Sequence, residues 1–252
     1  MTKTPKATTK TPRWEDYPRP SIAVDLAVLT VHLQERISRN GRKQLPVPTL
    51  RVLLVQRGED PFRDRWALPG GFLRPKETLE EAAERELAEE TGLKGMRPHL
   101  HPLRTYSDIG RDPRGWVLSA AYRALVRTGE APPLAGSDAS AARWCPVAEA
   151  QGLTLAFDHG RILADALDEV ALQATSTLVV REFLPETFVL AELDQVLRCL
   201  APGRYDEQLP NLRRKVLAKG VLEPTGQSEP RYSQRPAQLF RFTGTIPDTR
   251  IF

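Results

Sequence analysis

Residues 70–93 read GGFLRPKETLEEAAERELAEETGL, and their seven glutamates are either a solvated helix face or a site. Thr78-Leu79-Glu80-Glu81 has the form of a capping box, which starts a helix at Thr78 with Glu81 reaching back to the cap. Gly92 stands where a helix C-terminal cap belongs. At about 100° per residue from Leu79, Ala82, Ala83 and Leu87 fall within roughly 80° and define a buried stripe. Glu86 and Glu90 fall within about 20° of the same centre and Glu89 about 80° to one side, whereas Glu80, Glu81 and Glu84 take the solvent side. A carboxylate that points with apolar residues must find a cation or take up a proton. Arg85 points roughly 100° away from Glu86, which makes it the better partner for Glu77. A hard divalent cation, Mg2+ or Mn2+, is the simplest neutraliser of Glu86, Glu89 and Glu90. A buried salt-bridge network is the other reading.

Outward from this stretch, residues 21–33 (SIAVDLAVLTVHL) and TLRVLLVQRG are strand candidates, with ERISRNGRKQLPVP a polar loop between them. HPLRTYSD and GWVLSAAYRALV read as two more strands joined by the turn IGRDPRG, and Trp144-Cys145 as a short one. Residues 157–175 carry Ile162, Leu163, Ala166, Leu167 and Val170 at helical spacing. Beyond them the character changes. Residues 189–200 form a compact helix with Leu193, Val196, Leu197 and Leu200 on one side, stopping near Gly203. PNLRRKVLAKG is a second helix, with Pro210 at its first position and Gly220 as its stop. VLEPTG and QLFRFTG are strands flanking a polar tip. Two short helices followed by a basic hairpin is the order of a winged helix-turn-helix. This gives a basic, disordered tail over 1–20, a first domain over 21–175 and a second over 176–252.

The chain has 252 residues, is 40% apolar and 27% charged, and carries a net charge of +4, ordinary globular composition for two domains. No apolar run approaches the roughly 18 residues of a membrane span. The basic start lacks the apolar core of a signal peptide. Cys145 and Cys199 are far apart without metal-type spacing, so buried thiols in a reducing cytoplasm are expected. From residue 211 to 241 seven basic residues face two acidic ones, a local excess that suits a polyanion.

Gly71, five residues, Glu77, seven residues, then Arg85-Glu86-Leu87-Ala88-Glu89-Glu90-Thr91-Gly92-Leu93 resembles the Nudix box at every defined position. The resemblance implies an α+β fold with an N-terminal α/β/α sandwich on a mixed sheet, whose box binds a divalent metal and a nucleoside diphosphate linked to another group. It implies Glu86, Glu89 and Glu90 as metal ligands and catalytic residues, with the Gly71 carbonyl contributing, and Glu77 and Arg85 bracing the box. Lys76 departs from the pattern, since many family hydrolases have glycine there.

A Nudix domain, a long helix and a winged helix together resemble the Nudix-related transcriptional regulators of NAD metabolism, over nearly the whole chain after the tail. FDHGRILADAL, FLPETFVLAEL, NLRRKVLAKGVLEPTG and RPAQLFRF carry that likeness. It implies a homodimer that binds a double-stranded operator of NAD biosynthesis or salvage genes, modulated by ADP-ribose in the Nudix pocket. A recognition helix from Pro210 would present Asn211, Arg213, Arg214 and Lys215 to DNA, with Leu212, Val216 and Leu217 inward and Arg231 and Arg235 on the wing. Arg111 and Arg114 are candidate effector contacts, and Trp66 a candidate stacking surface or a core residue. His99, His101 and His159 lack a partner pattern and read as structural. The alternative function is an active Mg2+-dependent ADP-ribose pyrophosphatase, or a dual sensor and hydrolase, with Glu89, Glu90 or Asp112 as the general base.

Overall fold

The computed structural model describes residues 13–95, 100–126 and 139–244. Most of the expected N-terminal tail and His99 lie outside them. Residues Trp14–Asp16 form a single 3-10 turn, with the Arg19 guanidinium 3.8 Å over the Trp14 ring.

The spine of the first domain is β1 (Ser21–Ile37), buried continuously from Ala23 to Val31. A strand covered on both faces reads as an unbroken apolar run instead of an alternating one. It pairs antiparallel with β2 (Lys43–Arg57) and parallel with β6 (Val117–Val126), so the sheet is mixed. β3 (Trp66–Ala67) lies beyond β2, and β5 (Leu100–Tyr106) beyond β6. β4 (Gly70–Phe72) pairs with the start of β1, and β7 (Ala139–Pro146) pairs with β2. Alternate residues of β1 feed two cores. Val24, Leu26 and Val28 pack with Ala82, Ala83 and Leu87 of α1 (Leu79–Thr91). Ala27, Leu29 and Val31 pack with Ile162, Leu163 and Val170 of α3 (His159–Ser176), which follows the short α2 (Val147–Ala150). One helix on each face of the sheet is the expected sandwich. Each fully buried leucine here contributes about 1.5–3 kcal/mol.

One expectation is overturned. The polar segment after residue 33 is no loop: β1 and β2 run on past the sheet as a two-stranded ribbon, with Ile37 opposite Lys43 and the turn confined to residues 38–42. Pro46 and Pro48 lie within β2. They are tolerated because they precede Arg51, where β2 begins to pair with β7, so that edge of the strand is open.

After α3 a 3-10 turn, Val179–Phe183, leads to α4 (Leu190–Leu200), α5 (Leu209–Ala218), β8 (Leu222–Glu229) and β9 (Ala237–Phe242). α5 starts one residue before Pro210, which takes the second helical position; Gly220 follows the helix with φ 62°. Phe188 and Phe240 exchange two backbone hydrogen bonds, of 3.0 and 2.8 Å, a bridge that joins the segment before α4 to β9. Asp194 of α4, buried, accepts from Arg198 Nε at 3.0 Å and from the Tyr205 hydroxyl at 3.0 Å, and Arg198 also donates to the Glu207 carbonyl at 2.6 Å. These bonds fix the turn between α4 and α5. The winged helix does not stand apart: Leu193, Val196, Leu212, Val216 and Phe240 belong to the same apolar core as Ile162 and Val170 of α3. Among the described residues no helix is long and apolar enough to cross a membrane.

Candidate functional site: a carboxylate pocket and a basic helix

Helix α1 is set by its ends. Thr78 Oγ1 accepts from the Glu81 amide at 3.2 Å while the Glu81 carboxylate accepts from the Thr78 amide at 2.8 Å. Gly92, at φ 75°, donates its amide to the Ala88 carbonyl. Ala82, Ala83 and Leu87 are buried as the wheel requires. Glu80 is not simply solvated, because the Tyr122 hydroxyl donates to it at 3.1 Å. The loop before the helix holds Lys76 at φ 70°, the left-handed region that glycine enters freely and lysine only at a cost.

Arg85 corrects the sequence reading. Its Nε reaches Glu77 at 2.6 Å, as expected, but its Nη1 also reaches Glu86 at 2.6 Å. Wheel angles give the direction of Cβ only, and an arginine stem is long enough to swing across to its neighbour. Arg85 Nη2 further donates to the Phe72 carbonyl at 3.1 Å. Hydrogen bonds from Arg85 outweigh burial and hold the Glu77 carboxyl down at about 2. Glu77, in turn, holds the Arg85 guanidinium above its ordinary value.

Glu86, Glu89 and Glu90 go separate ways. Glu89 is exposed and pairs with Arg74 at 3.1 Å. Glu90 accepts from the Gly70 amide at 2.9 Å. Burial, reinforced by the charges of Glu86 and Asp25, pushes it up to about 8. Burial also raises Glu86, against the opposing pull of Arg85. Among the described residues no three acidic, histidine or cysteine side chains stand close enough to share a metal ion. The donor chemistry nonetheless fits a divalent cation. Glu86 and Glu90 are two like-charged, desolvated carboxylates on one pocket wall, and a hard cation relieves that repulsion. Gly71 has no room for a side chain, since a Cβ there would stand 2.3 Å from Glu86 Oε1.

The pocket floor is a closed ion network. Asp25, on β1 and buried, accepts from Ser119 Oγ at 2.6 Å and Arg111 Nη2 at 2.9 Å, and faces His159 Nε2 at 3.3 Å. Burial works to raise the Asp25 carboxyl, but His159, Ser119 and Arg111 outweigh it and hold it well below the usual carboxylate range. His159 Nδ1 accepts from the Leu68 amide at 2.9 Å, which leaves Nε2 as the nitrogen that carries the hydrogen. Arg111 also grips Asp158, at 2.6 and 3.0 Å. Only 4% of its side chain is exposed. Arg111, a candidate effector contact, lines the pocket and also ties the loop to β1 and to the start of α3. Arg114 is partly open, 43% exposed. It is paired with Asp112 and lies 4.9 Å over Phe72 and 5.5 Å over Phe157.

Trp66 does not line the pocket. Strand alternation turns Ala67 toward it and Trp66 to the other side, where the Arg143 guanidinium covers the ring at 4.4 Å. Phe72 and Phe157 supply the aromatic surface instead. Asp25, Arg57, Phe157 and Asp158 were not singled out from the sequence. Asp25 carried a usable signal, an acid inside an apolar strand run. Arg57, held by the Pro61 carbonyl at 2.7 Å, lies 4.8 Å over Phe157 and lines the same wall. Nothing in the local pattern distinguished it. His159 reads as structural and is, with both ring nitrogens engaged, although it also lines the pocket.

On the second surface, α5 buries Leu212 and Val216 and leaves Asn211, Arg213 and Arg214 exposed. Arg213 Nη2 donates to Gln238 of β9 at 2.9 Å, linking helix to wing. Lys215 is ion-paired with Glu207. Arg231 binds Glu192 at 3.0 Å and Glu229 at 2.9 Å, so it anchors the wing instead of projecting from it. Arg235 is exposed at the wing tip.

The NUDIX domain profile matches residues 39–166, and the NrtR DNA-binding winged helix domain profile matches residues 180–242. An ADPR responsive transcriptional repressor, NtrR, of Acinetobacter baylyi is 31% identical over 229 residues, 90% of this chain and 84% of that protein. The crystal structure of Shewanella oneidensis NrtR complexed with a 27mer DNA superposes with a TM-score of 0.66 at 30% identity, over 92% of this chain and 97% of that one. The NUDIX domain of the same protein, complexed with ADP ribose, superposes with a TM-score of 0.51 at 30% identity, over 62% of this chain and 92% of that one.

Proposed function

The chain belongs to the family that joins a NUDIX domain to an NrtR DNA-binding winged helix domain, and from that premise we propose that it is a transcriptional repressor with ADP-ribose, or a related nucleoside diphosphate, as effector. The observation that carries this reading is the union, through one apolar core, of a carboxylate pocket and a helix that exposes Asn211, Arg213 and Arg214. Its targets are operators of NAD biosynthesis or salvage genes. The protein works in the cytoplasm as a homodimer, whose two recognition helices read two half-sites.

In the pocket, Glu86, Glu89 and Glu90 with the Gly71 carbonyl would hold Mg2+ or Mn2+, which supplies positive charge for a bound diphosphate. Arg57 and Arg114 present guanidinium groups to the same ligand, and Phe72 and Phe157 present ring faces. Asp25, Arg111, Asp158 and His159 keep the floor rigid. Helix α3 begins at that floor and shares one apolar core with α4, so it is the element through which occupancy shifts the recognition helix. A shift in DNA affinity requires that the effector bind the two arrangements with different affinity. On the DNA side, Arg213 and Asn211 meet base edges and Arg214 meets phosphate.

The test pairs two assays on wild type and Glu90→Gln. Binding to a duplex selected from random DNA by the full chain is measured with and without ADP-ribose, and AMP release is measured with Mg2+. Sequence-specific binding that responds to ADP-ribose supports the repressor. Robust AMP release without sequence-specific binding would sink it in favour of the pyrophosphatase.

A further inference from the structure

The β1–β2 ribbon beyond the sheet carries Arg36, Arg39, Arg42 and Lys43 against a single acid, Glu35. Among the described residues only Lys43 forms an ion pair with it, at 3.8 Å and largely in solvent. Arg36, Arg39 and Arg42 are exposed, and among the described residues none of the three is held in a salt bridge. The cluster thus differs from Arg111 and Arg114 of the pocket, which are bound to carboxylates. Ile37 lies four residues along the strand from Leu33, so the turn stands roughly 13 Å beyond the ribbon's root at about 3.3 Å per residue.

The position of the ribbon gives this charge a meaning. At its root, Leu33, Pro46 and Pro48 share a crevice with Leu184, Pro185 and Glu192 at the start of α4. Glu192 is also the anchor of the wing tip: it holds Arg231 at 3.0 Å and accepts from the Tyr232 hydroxyl. Glu35 of the ribbon lies near enough to Tyr232 that its charge adds to the burial and the Glu192 contact that raise the hydroxyl. Ribbon and wing tip therefore converge on the same end of α4, and each carries exposed arginines, Arg36, Arg39 and Arg42 on the ribbon and Arg235 on the wing.

We propose that the ribbon of the Nudix domain is a second DNA contact, in which Arg36, Arg39 and Arg42 bind backbone phosphates of the duplex beside the segment read by the winged helix. This rests on the reading that the chain binds DNA. The contact is independent of sequence, because the three guanidiniums sit on an exposed ribbon and its turn, away from the helix that reads base edges. Phosphate neutralisation releases counterions, and each contact contributes about 0.9 to the slope of log affinity against log salt.

The experiment uses the full chain, a duplex it selects from random DNA, and the variant Arg36→Gln/Arg39→Gln/Arg42→Gln. Failure to select any duplex would overturn the DNA-binding reading itself. If wild type binds, the variant is expected to lose about tenfold or more in affinity at moderate salt, and its salt slope to fall by roughly two to three. Its preferred sequence should stay unchanged, and its hydroxyl-radical footprint should shorten on one flank. Arg213→Ala serves as contrast, with relaxed sequence preference and a footprint of full length. An unchanged salt slope and footprint in the triple variant would overturn the proposal. So would a loss of affinity accompanied by a changed oligomeric mass, which would assign the ribbon to contact between copies of the chain. ADP-ribose binding by the variant at wild-type strength shows that it is folded.

Discussion

The pocket floor and the recognition helix are both rich in arginine and treat it in opposite ways. Arg111 is buried between Asp25 and Asp158, whereas Arg213 and Arg214 are exposed and the partners of Arg213 are uncharged, Gln238 and the Phe240 ring. A site that must hold a small ligand in one geometry fixes its charges by internal pairing; a surface that must meet phosphates leaves them available. The same residue type therefore contributes stability in one region and affinity in the other, and substitutions should separate the two.

The largest effect is expected at Asp25. Asp25→Ala removes the shared buried acceptor of Ser119, Arg111 and His159, leaves Arg111 with Asp158 alone, and should destabilise the fold by about 3–5 kcal/mol, measured by urea unfolding. A cost below about 1 kcal/mol would break the contrast. Next is the pH response of Glu90. Its carboxyl titrates near 4.5 when unfolded and at about 8 when folded, so the folded state holds the extra proton between those values. Without divalent cations, stability should be full below about 4.5 and fall as pH rises through about 8. Glu90→Gln should flatten that fall, and an unaltered pH profile in the variant would contradict it. On the open surface, Arg213→Ala should leave the melting temperature nearly unchanged but weaken the selected duplex by about 1–3 kcal/mol with relaxed specificity. Electrophoretic or fluorescence titration reads this directly.

The smallest effect concerns a position the sequence did flag. Lys76 looked odd in the box, and the structure gives the reason: at φ 70° it occupies a conformation suited to glycine. Lys76→Gly should raise stability by about 1 kcal/mol. Calorimetry that shows a loss would mean that the lysine side chain makes a contribution beyond its backbone strain.

The legible parts were those governed by local rules. The capping box, the Gly92 stop, the buried face of α1 and the leucines of α4 follow from spacing within one helix. The sandwich was legible through the box and through the unbroken apolar run of β1. What was not legible depended on distance in space. The wheel could not show that Arg85 spans both Glu77 and Glu86. Strand alternation between Trp66 and Ala67 had no visible phase in a strand of two residues. Arg57 and Phe157 become neighbours only when the end of β2 meets the start of α3. The charged ribbon looked like a loop because its prolines and arginines suit an open edge as well as a turn.

The central claim is that the carboxylate pocket and the arginine helix are coupled. The most direct measurement is the affinity of the full chain for its selected duplex, with and without saturating ADP-ribose, in wild type and in Arg114→Ala. A coupling of the usual allosteric size, about 1–3 kcal/mol, changes duplex affinity by about 5- to 150-fold. That change should appear in wild type and shrink in the variant. ADP-ribose that binds the protein and leaves duplex affinity untouched would contradict the account.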